Sequence, residues 1–419
     1  MHDSTTDAPA VASATRPPLW RRIPLYIQII IGLILGVALG LAISPATAQR
    51  FNIPANIILR LLNAVAPPLI LVAVMQALIH AKVGGRMAGK LFFLLILNTL
   101  VAILVGLTVA NVVRPGKHAS LHVEGDTSAA TTFKTDPVAE LIENIPGSIL
   151  GPLVNGRVIG VIFIAVAFGI AARQLPQDQR DSVARALDIF FRLILSTLHW
   201  IIALVPIAVL FKVAYVVGTQ GFAPFKALAW FIAAVLLALL IQAIYYLTRV
   251  AIWSWVRPFD LIRHTRDALA MAFSTASSTV AMPVTYASLR QKVGLREESA
   301  SLGALVGSNF NNDGTALYEA MCALFVAQMI GVDLTLTQQL LVILTSVAAS
   351  VGAAGIPEAG LVTMTLVFSA VHLPTGYIAL LLPIDWFLDR CRTAINVLGD
   401  MNVACMLEGK TRERASDIA

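Results

Sequence analysis

Five polar residues in the last apolar stretch of the chain, Asp389, Arg392, Thr393, Asn396 and Asp400, have a spacing suited to joint chemistry. At ~100° per residue from Asp389, Arg392 falls at ~300°, Thr393 at ~40°, Asn396 at ~340° and Asp400 at ~20°, so a helix presents them as one polar stripe. Along it, a guanidinium is suited to clamp an anionic group through paired donors, and Asp389 to accept from an ammonium. Asn396 and Asp400 offer oxygens to a cation. The spacing also allows a plainer arrangement, an Asp389–Arg392 pair at i and i+3 facing a wet crevice. The polar residues beneath that pair favour the graded site. A second set of hard oxygen donors, Asn311-Asn312-Asp313-Gly314-Thr315, suits Na⁺ or another hard cation better than a soft transition metal. Gly314 is where a helix would open there, and a polar kink bonded to neighbouring helices is the alternative. Two small-residue tips, Ser277-Ser278-Thr279 and Gly355-Ile356-Pro357, would turn backbone N–H groups and helix N-termini toward an anion. Small residues equally serve ordinary helix packing.

The elements that must carry these residues are set by composition. Of 419 residues, 13% are charged and 58% hydrophobic, against about 25% charged in a soluble domain. Disorder, a disulfide scaffold and a cytosolic enzyme are excluded, and the chain reads as an all-α polytopic membrane protein. About eight spans of ~20 residues would use ~160 residues. The net charge of +6 (30 basic, 24 acidic) reads as basic cytoplasmic loops rather than a nucleic-acid surface. Cys322, Cys391 and Cys405 lack metal-ligand spacing and read as small buried hydrophobes. The polar helices show no Ser–His, Cys–His or histidine-metal arrangement, so neither an enzyme nor a cofactor is expected.

Residues 1–20 read as a disordered cytoplasmic tail. Arg21 and Arg22 precede an apolar run to Ile43 that is longer than a signal-peptide core of about 7–15 residues, so it is assigned as a first span. Apolar spans run over 23–44, 55–80, 91–113, 157–173, 187–218 and 227–252, with an exposed loop over 114–145 and a discontinuous fourth segment. After residue 256 two polar, interrupted stretches follow, AFSTASSTVAMPVTYAS and VGAAGIPEAG. Broken backbone at membrane depth is tolerated where protein buries it or a cavity is lined, and such paired segments point to a transporter binding site. A hairpin-then-helix unit recurs over 258–330 and 335–407. If both interrupted stretches are re-entrant, most basic loop residues fall on the side of the two termini, as the positive-inside bias requires.

Four motifs in order, NGRVIGVIF (155–163), NNDGTALYEA (311–320), GAAGIPEAGLVTM (352–364) and DWFLDRCRTAINVLGD (385–400), resemble the dicarboxylate/amino acid:cation symporter family. That family includes the glutamate transporters, and the C-terminal motifs are most similar to the excitatory amino acid transporters. The resemblance runs from about residue 24 to 408. It implies an elevator-type homotrimer in the cell (inner) membrane with both termini cytoplasmic, eight transmembrane helices and two re-entrant helical hairpins. Residues 21–256 would be mainly trimerisation scaffold, with the third helix (91–113) joining the transport domain. Residues 257–408 would form the transport core: a first hairpin at 258–290, a seventh helix at 297–330, a second hairpin at 335–372 and an eighth helix at 373–407. A cytoplasmic tail, 409–419, would follow.

By position, the resemblance gives Arg392 the substrate's distal carboxylate and Asp389 its amino group, with Thr315, Thr393 and Asn396 completing the site. Ser278 and the backbones of Ala276, Ile356 and Gly360 would hold the main-chain carboxylate. Cation sites are implied at Gly307, Asn311, Asn396 and Asp400; at Asn309, Ser350, Val351 and Ala353; and at Asn98, Thr99, Asn311 and Asp313. The chain departs from the family pattern at Leu95, Asn98, Asn309 and Asn312 and in the first tip, which touches cation coupling more than substrate recognition. The expectation is a symporter for glutamate, aspartate or a related dicarboxylate. Its coupling ion is Na⁺, favoured by Asp400, or H⁺; its partners are a small anion, inorganic cations and lipid, with no nucleic acid. A proton-coupled succinate-type symporter and an anion channel are the alternatives.

Overall fold

The computed structural model describes residues 23, 25–80, 85–118, 146–155, 158–352 and 359–411. The expected tail 1–20, most of the 114–145 loop, the tip Gly355–Pro357 and residues 412–419 lie outside the described residues. Helices dominate, and no strand occurs among the described residues. In chain order they are α1 (Leu25–Ala42), α2 (Pro45–Arg50), α3 (Asn52–His80), α4 (Gly85–Val113), α5 (Gly151–Asn155), α6 (Val158–Gln174), α7 (Gln177–Ile202), α8 (Val205–Gln220) and α9 (Ala223–Trp253). The C-terminal part holds α10 (Pro258–Thr275), α11 (Ser278–Ala287), α12 (Glu297–Ser301), α13 (Gly307–Phe310), α14 (Asp313–Met329), α15 (Leu336–Gly352), α16 (Ala359–Ala370) and α17 (Ile378–Glu408). Two of the helical stretches, Gly89–His118 and Phe225–Trp253, are long and apolar enough to cross a bilayer by length and composition.

The apolar run 187–218, read from sequence as one span, is divided between α7 and α8 at residues 203–204. Pro206 explains the break: proline lacks the N–H of the helical ladder and crowds the preceding turn, yet suits a first turn, which is where α8 places it. Pro283 does the opposite of what its position suggests. α11 continues through it, and the chain turns earlier, at Ala276, whose left-handed φ of 51° ends α10. Ser277 then caps α11 by accepting the Val280 N–H at 3.2 Å. α10 and α11 thus fold onto each other across a two-residue corner. α15 and α16 also pack together, with their connection outside the described residues.

α14 lies at the centre. All of its residues are buried, among α4, α9, α15, α16 and α17. Its polar start is therefore enclosed on every side. At the other end of the molecule α1 is pressed against α8. Cβ atoms added at Gly32, Gly36 and Gly40 would stand 2.6, 2.6 and 2.8 Å from the carbonyl oxygens of Pro206, Leu210 and Ala214. Four-residue spacing on both helices keeps the two backbones in contact over three turns. The outer side of α1 carries exposed Ile34 and Leu41. Gly36→Val should therefore separate the helices and lower the thermal melting temperature of the purified protein, at a cost of about 1–3 kcal/mol. Ile34→Val, on the exposed side, should leave the melt nearly unchanged.

Candidate functional site

α17 positions the polar stripe. The helix runs through Pro383 without a break, so Asp385, Asp389, Arg392, Asn396 and Asp400 keep helical register along one buried face. Arg392 has no exposed surface. Its Nη1 donates to Asp385 Oδ1 at 2.9 Å and its Nη2 to Asp389 Oδ1 at 2.8 Å. The guanidinium carbon stands 4.0 Å from the centre of the Tyr318 ring. A desolvated charge is tolerated only with partners of opposite sign, and here two carboxylates and an aromatic face supply them, while the Arg392 Nε finds no hydrogen-bond partner among the described residues. The i, i+3 pair that the spacing allows is present, buried rather than facing a wet crevice, and it sits at the head of the polar stripe.

Gly360 in α16 lets that helix pack close against Arg392. A Cβ there would come within 3.3 Å of Arg392 Nη2 and 3.4 Å of the Thr315 methyl. Asn396 binds the start of α14: its Oδ1 accepts the Gly314 N–H at 2.7 Å, and its amide lies 3.4 Å from Thr315 Oγ1. Thr393 Oγ1 donates back to the Asp389 carbonyl at 2.8 Å. Thr315, Gly360, Asp389, Arg392, Thr393 and Asn396 are thus brought together around one point. The first tip reaches this region through Ser278, whose hydroxyl donates to the Ser308 carbonyl at 2.9 Å. Arg390 secures the same corner, donating to the carbonyls of Phe273 (3.1 Å) and Ser274 ahead of Ala276. Ile356 lies outside the described residues.

The helix does not open at Gly314, as expected from sequence, but at Asn311 and Asn312, which leave helical geometry between α13 and α14. The side chains explain the shift. Asn311 Nδ2 donates to the Asn396 carbonyl at 3.1 Å and Asn312 Nδ2 to the Ser350 carbonyl at 3.0 Å, so two amides tie the broken turn to α17 and α15. Gly314 is needed for proximity instead, since a Cβ there would lie 2.7 Å from the Arg392 carbonyl oxygen.

Of the expected cation positions, Gly307, Asn311, Asn396 and Asp400 converge. Asp400 is buried, and its Oδ1 and the Asn311 Oδ1 find no hydrogen-bond partner among the described residues. A Cβ at Gly307 would stand 2.5 Å from Asp400 Oδ1, so only glycine leaves that oxygen accessible. Orphaned hard oxygens around a buried carboxylate fit a bare cation. The second set is only partly described. Asn309 is exposed and turns its amide back to the Leu305 carbonyl at 3.1 Å, while the Ser350 carbonyl receives Asn312. Val351 lies in the last turn of α15 and Ala353 lies outside the described residues. In the third set Thr99 Oγ1 reaches Asp313 Oδ1 at 2.7 Å, whereas the Asn98 oxygen faces Arg249.

Reading the sequence by type missed Asp385, Tyr318, Glu319 and Thr363. Asp385 and Arg392 stand seven residues apart, two turns on one face, and that register is the signal that could have found Asp385. Glu319, fully buried in α14, accepts from the Thr363 hydroxyl of α16, a contact between helices that no local spacing announces.

Comparison with known proteins places this geometry. The model of the sodium:dicarboxylate symporter family matches residues 25–410. Excitatory amino acid transporter 1 of Rattus norvegicus is 34% identical over 285 residues, covering 66% of this chain and 50% of that protein, so the chain spans about half the length of that relative. The proton/glutamate-aspartate symporter of Escherichia coli (strain K12) is 29% identical over 72% of this chain and 71% of its own. A C4-dicarboxylate transport protein of Xanthomonas campestris pv. campestris (strain B100) is 29% identical over 96% of this chain and 90% of its own. With a match over nearly the whole described length, the chain belongs to the sodium:dicarboxylate symporter family.

Proposed function

We propose that the protein is a secondary-active symporter that imports an acidic amino acid, glutamate or aspartate, together with a cation, Na⁺ being favoured. It would act as a multi-pass protein of the cell membrane with both termini cytoplasmic, built as eight spanning helices and two re-entrant hairpins in a homotrimer. The transport core would be the C-terminal part with α4. The observation that carries this reading is the fully buried Arg392, a fixed positive charge held between two carboxylates and close beside the Gly360 backbone. A substrate carboxylate takes over the Nη2 donor that Asp389 now occupies, and the released Asp389 carboxylate receives the substrate ammonium. Asp385 stays on Nη1 and keeps the guanidinium oriented through the exchange. The cation neutralises Asp400, whose orphaned oxygen lies one turn below Asn396.

The Asp389–Arg392 pair also favours a second reading. Asp389 is satisfied without any ammonium, as a C4-dicarboxylate substrate of the succinate type would require, and proton coupling goes with that reading.

Uptake of labelled aspartate, glutamate and succinate into proteoliposomes, with Na⁺ and proton gradients imposed separately, tests both. The expected result is aspartate or glutamate accumulation driven by the Na⁺ gradient. Succinate uptake driven by protons would select the second reading, and uptake indifferent to both gradients would overturn cation symport. Arg392→Cys should reduce acidic-substrate uptake at least ~30-fold, because a buried charge pair loses one member, and should shift preference toward neutral amino acids. Undiminished glutamate transport by that variant would remove Arg392 from its assigned role.

A further inference from the structure

A second buried guanidinium lies away from the substrate site. Arg249, in α9, is only 5% exposed, and no carboxylate pairs with it directly among the described residues. Its Nη1 donates to Asn98 Oδ1 and lies 3.3 Å from the Tyr245 hydroxyl, with the guanidinium carbon 5.4 Å from the Tyr245 ring centre. Asn98 has no exposed surface. Because a guanidinium only donates, the Asn98 atom facing it must be the carbonyl oxygen, the one atom of that side chain able to ligate a cation. The Asn98 amide nitrogen is left without a partner among the described residues.

The neighbouring positions complete the arrangement. Tyr246 and Arg249 stand at i and i+3 on α9, so they share a face, and Asn98 and Thr99 are consecutive on α4. Tyr246 donates its hydroxyl to Asp313 Oδ2, and Thr99 Oγ1 lies 2.7 Å from Oδ1. Both oxygens of the buried Asp313 carboxylate are therefore occupied, and Arg249 is joined to the same group through Asn98, the neighbour of Thr99. With Arg249 in place, the group of Asn98, Thr99 and Asp313 thus does not fit a bound metal ion, because its amide oxygen already faces a fixed cation. Asp400 differs. It keeps an orphaned oxygen and no basic side chain forms an ion pair with it among the described residues.

We infer that Arg249 is a tethered cation, permanently supplying beside Asp313 the positive charge that a mobile ion would otherwise bring. This inference rests on the symport reading. Of the two buried carboxylates at the foot of the site, Asp313 is balanced by Arg249, and Asp400 alone is left to a mobile cation. Coupling is thereby reduced by one ion relative to a chain with both carboxylates unbalanced.

The test compares the wild-type protein with Arg249→Gln, which removes the charge, and Arg249→Lys, which keeps it. The thermal stability of each purified protein is followed against Na⁺ concentration, since an ion bound only by the folded protein stabilises it by mass action. Arg249→Gln should show a steeper Na⁺ dependence than wild type, by one further bound ion, and Arg249→Lys should follow wild type. In proteoliposomes, the substrate gradient that just balances a given Na⁺ gradient should report one more Na⁺ per substrate for Arg249→Gln. An unchanged Na⁺ dependence and ratio would overturn the inference. If Arg249→Gln does not elute as a monodisperse species, adding Asp313→Asn should restore it, because the two buried charges then leave together; no recovery counts against the inference. Wild-type uptake that ignores both gradients would defeat the symport reading instead, and the Na⁺-dependent melts would still report on Arg249.

Discussion

Arg392 has no contact with solvent, and the structure around it is arranged by that fact. A guanidinium removed from water carries a desolvation penalty of several kcal/mol that only well-placed partners offset. α17 supplies two of them, Asp385 and Asp389, from successive turns of the same face, and α14 supplies the Tyr318 ring. Gly314 and Gly360 then let α14 and α16 approach closely enough to seal the group. One positive charge flanked by two carboxylates leaves the cluster negative, and on the proposed reading a substrate ammonium would meet a carboxylate there and a substrate carboxylate the guanidinium.

Closing around a charge also explains why the helices near it are broken. A continuous helix satisfies its backbone internally and offers a ligand only side chains. Where the chain leaves helical geometry at Asn311 and Asn312, and again at the Ala276 corner, carbonyls and N–H groups are released into the interior. Each must then be met by protein or ligand. Asn396 is central here, because its Oδ1 takes the Gly314 N–H while its own carbonyl takes the Asn311 amide. The same residue therefore links the guanidinium end of the stripe to the oxygens around Asp400.

Much of this was legible in the sequence, for a physical reason: charged and amide residues in an apolar chain are costly, so their positions mark the site without any knowledge of the fold. Asp389, Arg392, Asn396 and Asp400 share a helix, and their common face follows from arithmetic on one segment. What was not legible involves partners brought together from distant helices. The Arg249–Asn98 contact joins α9 to α4 across 151 positions, and Thr363–Glu319 joins α16 to α14. Nor could composition decide between Gly314 and Asn311-Asn312 as the point of opening. Glycine permits a break but equally permits close packing, and only the neighbouring Arg392 carbonyl shows which use applies. The division of 187–218 into α7 and α8 was within reach, since Pro206 stands in the sequence, but apolar content alone reads through it.

The distribution of buried charge connects substrate recognition to coupling. Arg392 and Arg249 are both held against carboxylates or amide oxygens, and Arg392 is paired with two carboxylates, one of which a substrate would displace on the proposed reading. Arg249 faces Asn98 and Tyr245, with no carboxylate paired directly to it among the described residues. Asp400 differs from both, with an oxygen directed at the Cβ-free side of Gly307. On the proposed reading a mobile cation would fill one place and a mobile anion the other, and Asn396, bonded to α14 on one side and to the Asn311 amide on the other, would link the two. Coupling, on this view, needs no long pathway. It follows from one turn of α17 lying between a guanidinium that shares its partners and a carboxylate that lacks one.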